Sequence, residues 1–237
     1  MSDPRIESAA GGCARCARSS HTFLAALGDE GIDVLERSRT HRRFARGSIL
    51  FRQGEEADEV FCIAGAVVKL VRGSTGGRAA VVGVLGCGRV AGLSAAMGPG
   101  IHAYTGEVVT DGVMGCIPRA TLVELSDAYP GFSRALTAQV AAEAHRGVRQ
   151  VELFAEPRLA PRLATVLLDL AGDRPASCGP VARGLSRRDL AGMCGVGHEA
   201  VVRCLSRWRG EGVVDDDGGA IRLVDVPRLQ RIAEGAP

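Results

Sequence analysis

The chain has 237 residues, of which 46% are hydrophobic and 24% charged, with 29 basic against 27 acidic side chains. This composition excludes wholesale disorder, and the length suits one large domain or two modest ones. No stretch is long and apolar enough to span a membrane, and residues 1–12 lack the apolar core of a secretory signal. The sequence therefore predicts a cytoplasmic protein with no membrane partner.

Residues 1–22 are predicted to form a polar arm that carries Cys13 and Cys16, two of the eight cysteines in the chain. In a reducing cytosol, cysteines are more often buried apolar residues, metal ligands or redox thiols than members of a disulfide framework. A short helical element is predicted next, over residues 25–37.

Short apolar runs separated by glycines follow, from about residue 41 to residue 118. Such β-branched runs at close spacing are typical of strands in an antiparallel sandwich or barrel. The runs lie at residues 48–51, 60–63, 66–71, 79–82, 106–109 and 113–117.

From Pro130 the period of the apolar residues becomes helical. The stripe consists of Leu136, Val140, Ala144, Gly147, Val151 and Phe154. A single stripe on a long helix favours a partner helix, and the small Ala144 and Gly147 would permit close approach, so these residues are the predicted dimer interface. Packing of the helix on its own sandwich remains the alternative. A further helix is predicted over residues 158–171.

Residues 185–208 read as helix, tight turn, helix. Ser186 and Asp189 resemble a capping box, and Gly195 can adopt the left-handed conformation that ends the first helix. The buried face of the second helix is predicted to consist of Ala200, Val201, Cys204, Leu205 and Trp208. Residues 213–223 then predict a hairpin with an Asp-Gly turn, so the whole segment is a predicted winged helix.

The opposite face of the second helix has side chains that suit base edges, since Arg pairs with guanine, Glu accepts from cytosine and Val contacts a thymine methyl. Between Arg183 and Arg209, six arginines stand against two carboxylates, a net of +4 in a chain whose total is +2. We therefore predict binding of double-stranded DNA. The predicted contacts are Ser186, Arg187, Arg188, His198, Glu199, Val202, Arg203 and Arg207.

An enzyme is not predicted. The sequence contains no nucleophile elbow, no phosphate-binding glycine-rich loop before a helix, and no His/carboxylate metal motif.

Two motifs stand out along the chain, RGSILFRQGEEADEVFCIAG at residues 46–65 and HEAVVR at residues 198–203. Taken together, they resemble the CRP/FNR superfamily of bacterial transcription regulators. The resemblance covers nearly the whole chain and implies an α+β fold. It would comprise the arm 1–22, a β-roll sensor at 23–125, a dimerisation helix at 126–155 and a winged helix-turn-helix at 156–237.

The resemblance also implies a homodimer on a near-palindromic operator and contact with RNA polymerase. Glu199 and Arg203 match the family's base-reading positions. Val202 replaces the usual Ser or Gly, and Gly197 stands where a Thr often caps the helix, so the half-site sequence stays open.

The signal is a separate question. The cyclic-AMP branch of the family has a Gly-Glu-Leu turn and an Arg-Ser pair, where this chain has Gly92-Leu93-Ser94 and His102-Ala103. A ribose and phosphate pocket needs the Glu and the Arg, so the sequence argues against cAMP.

The oxygen-sensing branch has Cys-x2-Cys-x5-Cys near its N-terminus and a fourth Cys in the β-roll. Cys13 and Cys16 match, but the third position is Thr22, beside His21, and Cys116 lies one residue late, which turns it to the other strand face. An iron–sulfur cluster or zinc on Cys13, Cys16, His21 and Cys116 is one hypothesis, and a Cys13/Cys16 thiol switch is another. The alternative is a metabolite sensor, or a haem on His102, with structural or idle cysteines.

Overall fold

The computed structural model describes residues 23–63, 65–73, 79–86, 88–172, 184–217 and 220–235. The chain divides into two compact units, one made of residues 1–72 and 85–146 and the other of residues 73–84 and 147–237. The division falls inside the long helix, which the sequence analysis assigned to a separate segment, 126–155. The domain boundaries of the sequence analysis stay a prediction.

Two four-stranded antiparallel sheets form the sandwich predicted for the N-terminal part. Their strands are β1 (Thr40–Phe44), β2 (Ile49–Phe51), β3 (Glu59–Ile63), β4 (Val67–Gly73), β5 (Ala79–Leu85), β6 (Val90–Ala91), β7 (Thr105–Thr110) and β8 (Gly112–Pro118). The strand orders are β1-β8-β3-β6 and β2-β7-β4-β5. All six predicted apolar runs are confirmed as strands.

The helices follow in chain order. After a 3₁₀ turn at Phe23–Leu27 come α1 (Gly28–Ser38), α2 (Leu93–Ala96), α3 (Arg119–Ala128), α4 (Pro130–Ala155), α5 (Leu159–Gly172), α6 (Arg187–Cys194), α7 (His198–Gly210) and α8 (Val226–Ala233). Between α7 and α8, the strands β9 (Val214–Asp217) and β10 (Ala220–Leu223) pair antiparallel. The α+β class and the predicted long helix are thus confirmed.

Strand β3 is apolar throughout because both of its faces are covered. Val60 and Cys62 belong to a core shared with the helices α1, α3 and α4, whereas Phe61 and Ile63 belong to the core between the sheets. A strand buried on both faces reads as a continuous apolar run instead of an alternating one.

Strand β1 was not predicted, because its sequence THRRF is mostly polar. It pairs along its whole length with β8, with Thr40 opposite Cys116 and Phe44 opposite Gly112. The guanidinium of Arg42 lies over the rings of Phe44 and Phe61, at 5.5 and 5.6 Å from their centroids. This placement sets the cationic group against two aromatic rings, a favourable contact that explains why an arginine is tolerated here.

Across the described ranges, no helix is long and apolar enough to cross a membrane.

The close approach of β8 to the β3–β4 connection yields a prediction. A Cβ at Gly112 would lie 2.7 Å from the Ala66 Cβ and 2.9 Å from its backbone nitrogen, so Gly112→Ala forces the backbone to move. We expect the free energy of unfolding, measured by urea denaturation, to fall by about 1–3 kcal/mol. Gly65→Ala is the control, because nothing lies within 4 Å of that Cβ position. Equal stability of the two variants would contradict the packing described.

Candidate nucleic-acid interface

Helix α6 begins at a capping box, as predicted. The Ser186 hydroxyl accepts a hydrogen bond from the Asp189 backbone nitrogen at 3.1 Å, and the Asp189 carboxylate accepts one from the Ser186 backbone nitrogen at 2.8 Å. The Ser186 hydroxyl also donates to that carboxylate at 2.6 Å. Two backbone N–H groups that a helix start leaves unpaired are thereby satisfied, and the first turn of α6 is held in place.

The turn between α6 and α7 depends on Gly195. Its φ is +65°, the left-handed conformation predicted for this position. The backbone geometry favours glycine, and a Cβ there would lie 3.1 Å from the Phe154 ring, a tight contact that the ring would have to relieve. Gly197 is the N-cap of α7 and offers no side-chain hydrogen bond to the helix.

Helix α7 separates a buried face from an exposed one. Val201, Leu205 and Trp208 are buried, the last at 1% exposure, while Ala200 and Cys204 are half-buried. The predicted DNA-facing residues of α7 are all exposed, namely His198, Glu199, Val202, Arg203 and Arg207. The α6 residues predicted to contact DNA are exposed at Ser186 and Arg188 and half-buried at Arg187.

Two ion pairs run along the exposed face of α7. Arg203 Nη1 lies 3.7 Å from Glu199 Oε2, and Arg207 Nε lies 3.7 Å from Glu211 Oε1. Side-chain exposures of 73% for Arg203 and 88% for Glu199 leave the first pair in water. Such exposed pairs contribute about 0–1 kcal/mol to stability, so Arg203 and Glu199 can each turn to another partner at low cost.

The predicted hairpin is confirmed as β9 and β10, with Val214 opposite Leu223. The turn residues 218–219 lie outside the described part of the chain. Arg222 forms an ion pair with Asp215 across the two strands. At the base of the hairpin, the Val213 nitrogen donates to the Trp208 carbonyl at 2.8 Å, which ties the wing to the end of α7.

The apolar stripe on α4 is buried at its N-terminal end and exposed at its C-terminal end. Leu136 is 2% exposed and belongs to the core of its own unit, and Val140 packs partly against that core. Ala144, Gly147, Val151 and Phe154 are exposed, and Val148 joins them at 55% exposure. The part of the stripe that is open to a partner therefore begins near Ala144.

The β-roll residues singled out for sensing are internal. His102 is 4% exposed, and its ring stacks on Phe51 with centroids 3.8 Å apart. A Cβ at Gly92 would lie 3.1 Å from His102 Cε1, so histidine and glycine fit against each other. Burial lowers the pKa of His102 and so favours the neutral imidazole. The nearby carboxylates of Glu55 and Asp58 act in the opposite direction but do not cancel this effect.

Cys116 lies on the inter-sheet side of β8 and is 1% exposed. Arg42 Nε donates a hydrogen bond to its sulfur at 2.9 Å. Burial raises the pKa of Cys116, although Arg42 opposes that shift. Burial also raises the pKa of Cys194 to about 12, so that thiol stays protonated.

Cys13, Cys16 and His21 lie outside the described residues, as do Cys87 and Cys178. Within the described ranges, no group of three or more His, Cys, Asp and Glu side chains is arranged to hold a metal ion.

A winged helix-turn-helix joined by a long helix to a β-roll defines a class of DNA-binding transcription regulators. Two family models match the corresponding parts of this chain: the cyclic nucleotide-binding domain at residues 41–129 and the Crp-like helix-turn-helix domain at residues 161–232. The chain belongs to the CRP/FNR superfamily of transcription regulators, which are not enzymes.

Relatives of both branches are about equally similar. The transcriptional activator protein FnrA of Stutzerimonas stutzeri is 25% identical over 228 residues, covering 94% of this chain and 93% of its own. The cyclic AMP receptor protein of Thermus thermophilus is 24% identical over 209 residues, covering 88% and 95%. The solved structure of FixK2 from Bradyrhizobium japonicum has the same fold, with a TM-score of 0.75 at 23% identity, covering 82% of this chain and 96% of its own.

The turn gives a second prediction. Gly195→Ala places a Cβ at positive φ and against Phe154, so we expect the helix-turn-helix to lose about 1–2 kcal/mol of stability. The fluorescence of Trp208, the chain's one tryptophan, reports unfolding of this part. Gly210→Ala is the control, because its Cβ meets nothing within 4 Å and alanine is the better helix former. A Gly195→Ala protein as stable as Gly210→Ala would contradict the proposed role of the turn.

Proposed function

We propose that this chain binds near-palindromic DNA as a homodimer, with the two α7 helices in successive major grooves. The observation that carries the proposal is the division of α7 into a buried stripe and an exposed face. Val201, Leu205 and Trp208 pack inward, and Glu199 and Arg203 are left in solvent. A helix presented in this way by a helix-turn-helix is the element that reads base edges.

Each exposed residue has a proposed role. Arg203 pairs with a guanine, Glu199 accepts from a cytosine amino group, and Val202 contacts a thymine methyl. Ser186, Arg187, Arg188, His198 and Arg207 contact the backbone or neighbouring bases and position the helix. The Ser186 hydroxyl also caps α6, so it would contact a phosphate while keeping its bond to Asp189.

Dimerisation is proposed through the C-terminal part of the α4 stripe. Val148, Val151 and Phe154 are 55%, 69% and 42% exposed, an unusual run of large apolar side chains for a surface helix. Gly147 has open space at its Cβ position, which suits close approach of a second helix. Contact of the bound dimer with RNA polymerase is part of the proposal and rests on membership of the superfamily.

A base-contact test follows. On an operator selected in vitro with the wild-type protein, Arg203→Ala should cost roughly 1–3 kcal/mol of binding free energy and relax the preference at one base pair. The measurement is fluorescence anisotropy on the selected duplex and on duplexes changed at single positions. Arg209→Ala, an exposed arginine at the last turn of the same helix, is the control. Equal losses for both variants on every duplex would refute the assignment of Arg203.

For the signal, we propose a redox response through Cys13 and Cys16. Cys116 does not fit as a ligand shared with the arm, because its sulfur lies between the sheets, 1% exposed and bonded to Arg42. Cys13, Cys16 and His21 remain as candidate metal ligands, and Cys13 and Cys16 as candidate redox thiols. Oxidation of the two thiols by a disulfide would form one new disulfide and reduce the oxidant to two thiols, with protons and electrons balanced.

Cyclic nucleotides are not part of the proposal. The His102 ring, stacked on Phe51 and fitted against Gly92, fills space where the cyclic-AMP branch has polar residues for its ligand. His102 is 4% exposed and stacked on Phe51, so packing explains this histidine without a bound haem.

The redox proposal predicts that the double variant Cys13→Ser, Cys16→Ser binds the operator equally with and without glutathione disulfide, while the wild type changes several-fold. Cys116→Ala is the matched control and should keep the wild-type redox dependence, since its thiol is buried. Metal analysis and an absorption spectrum of anaerobically purified protein distinguish a bound iron or zinc from a plain dithiol. Redox dependence that survives the double substitution would refute the role of the arm.

A further inference from the structure

The C-terminal end of α6 is held by side chains from two other helices. The last carbonyls of a helix have no partner within it. Here the Met193 carbonyl accepts a hydrogen bond from Gln150 Nε2 at 2.9 Å, and the Cys194 carbonyl accepts one from Arg162 Nη1 at 2.6 Å. Gln150 belongs to α4 and Arg162 to α5. The first helix of the DNA-binding motif thus ends on groups supplied from outside the motif.

An aromatic contact lies next to these hydrogen bonds. Phe154 follows Gln150 by four residues on α4, so the two side chains share one face of that helix. The Phe154 ring lies against Gly195, whose Cβ position is 3.1 and 3.3 Å from two ring atoms. The C-terminal part of α4 therefore makes one polar and one apolar contact with the end of α6 and the turn that follows.

These bonds act on buried backbone. Met193 is 7% exposed and Cys194 is not exposed at all, so a carbonyl that lost its donor there would stay out of water. A buried acceptor without a partner is costly, and bonds from a charged guanidinium are stronger than neutral ones. By contrast, the ion pair between Arg149 of α4 and Asp169 of α5 is about half exposed on both sides.

We propose that Gln150 and Arg162 are positioning residues for DNA recognition. They fix the helix-turn-helix against the C-terminal part of α4, and through α4 they set the separation of the two recognition helices in the dimer. This inference rests on the proposed homodimer. Two half-sites must lie about one helical turn apart, roughly 34 Å, so a small rotation of the motif against α4 moves α7 out of register with its groove.

The test uses the full chain and three duplexes. These are an operator selected in vitro with the wild-type protein, the same operator with one base pair inserted between the half-sites, and a single half-site. The wild type should discriminate strongly against the inserted base pair. Gln150→Met keeps the length of the side chain but removes the donor. We expect it to lose about three- to tenfold in affinity for the operator, the range of one hydrogen bond, and to discriminate less against the insertion.

Matched variants separate positioning from folding. Arg149→Met changes the neighbouring residue, whose ion-pair partner is Asp169 of α5, and should keep the wild-type spacing preference. Gln150→Lys retains a hydrogen-bond donor at this position, so it should retain the wild-type spacing preference. Arg162→Met and Arg162→Lys repeat the comparison at the second carbonyl, and Trp208 fluorescence shows whether each variant is folded.

The outcomes are distinct. An equal loss on all three duplexes, half-site included, would make Gln150 merely a stabilising residue of the motif and overturn the proposal, as would an unchanged Gln150→Met protein. A wild type that binds the operator no better than a half-site would instead refute the homodimer itself. Reduced discrimination with unchanged half-site affinity supports the proposal.

Discussion

The exposed face of α7, which is proposed to read DNA, depends on the burial of one apolar stripe. Val201, Leu205 and Trp208 recur every three or four residues on α7, so they lie on one side of the helix and bury together. Each fully buried side chain of this kind contributes roughly 1.5–3 kcal/mol, far more than any exposed ion pair on the other side. Packing energy therefore decides the rotation of α7 about its axis, and the polar residues face outward as a consequence.

The β-roll follows the same rule with a period of two. On β8, Met114 and Cys116 belong to the inter-sheet core, whereas Ile117 belongs to the core shared with the helices. Gly115 stands opposite His41 and Cys62, and Cys116 stands opposite Thr40 and Phe61. A shift of one residue along this strand therefore moves a thiol between two different cores. The exact position of Cys116 on the strand thus decides which groups its sulfur can contact.

Much of this architecture could be predicted from sequence. The winged helix was predictable because Ser186, Asp189 and Gly195 mark its boundaries by local chemistry, and the apolar runs marked most strands. Strand β1 was missed because Arg42 is stabilised by residues distant in sequence, Glu59, Phe61 and Cys116, and no local pattern records that. Helices α3 and α8 were missed as well. Gln150 and Arg162 also escaped prediction, since a side chain that caps another helix's carbonyl leaves no motif of its own.

The pair formed by Glu199 and Arg203 has a consequence for how such a protein searches a genome. Under the proposed base contacts, Arg203 gives up a weak, solvent-exposed contact with the Glu199 carboxylate when it binds a base. In the proposed complex, a cytosine amino group would give Glu199 a donor of its own, whereas a guanine or thymine edge there would leave the carboxylate facing acceptors and the negatively charged backbone. In the proposed complex, Glu199 therefore remains a nearby alternative partner for Arg203 wherever the base contacts are missing, at the small energy of an exposed ion pair.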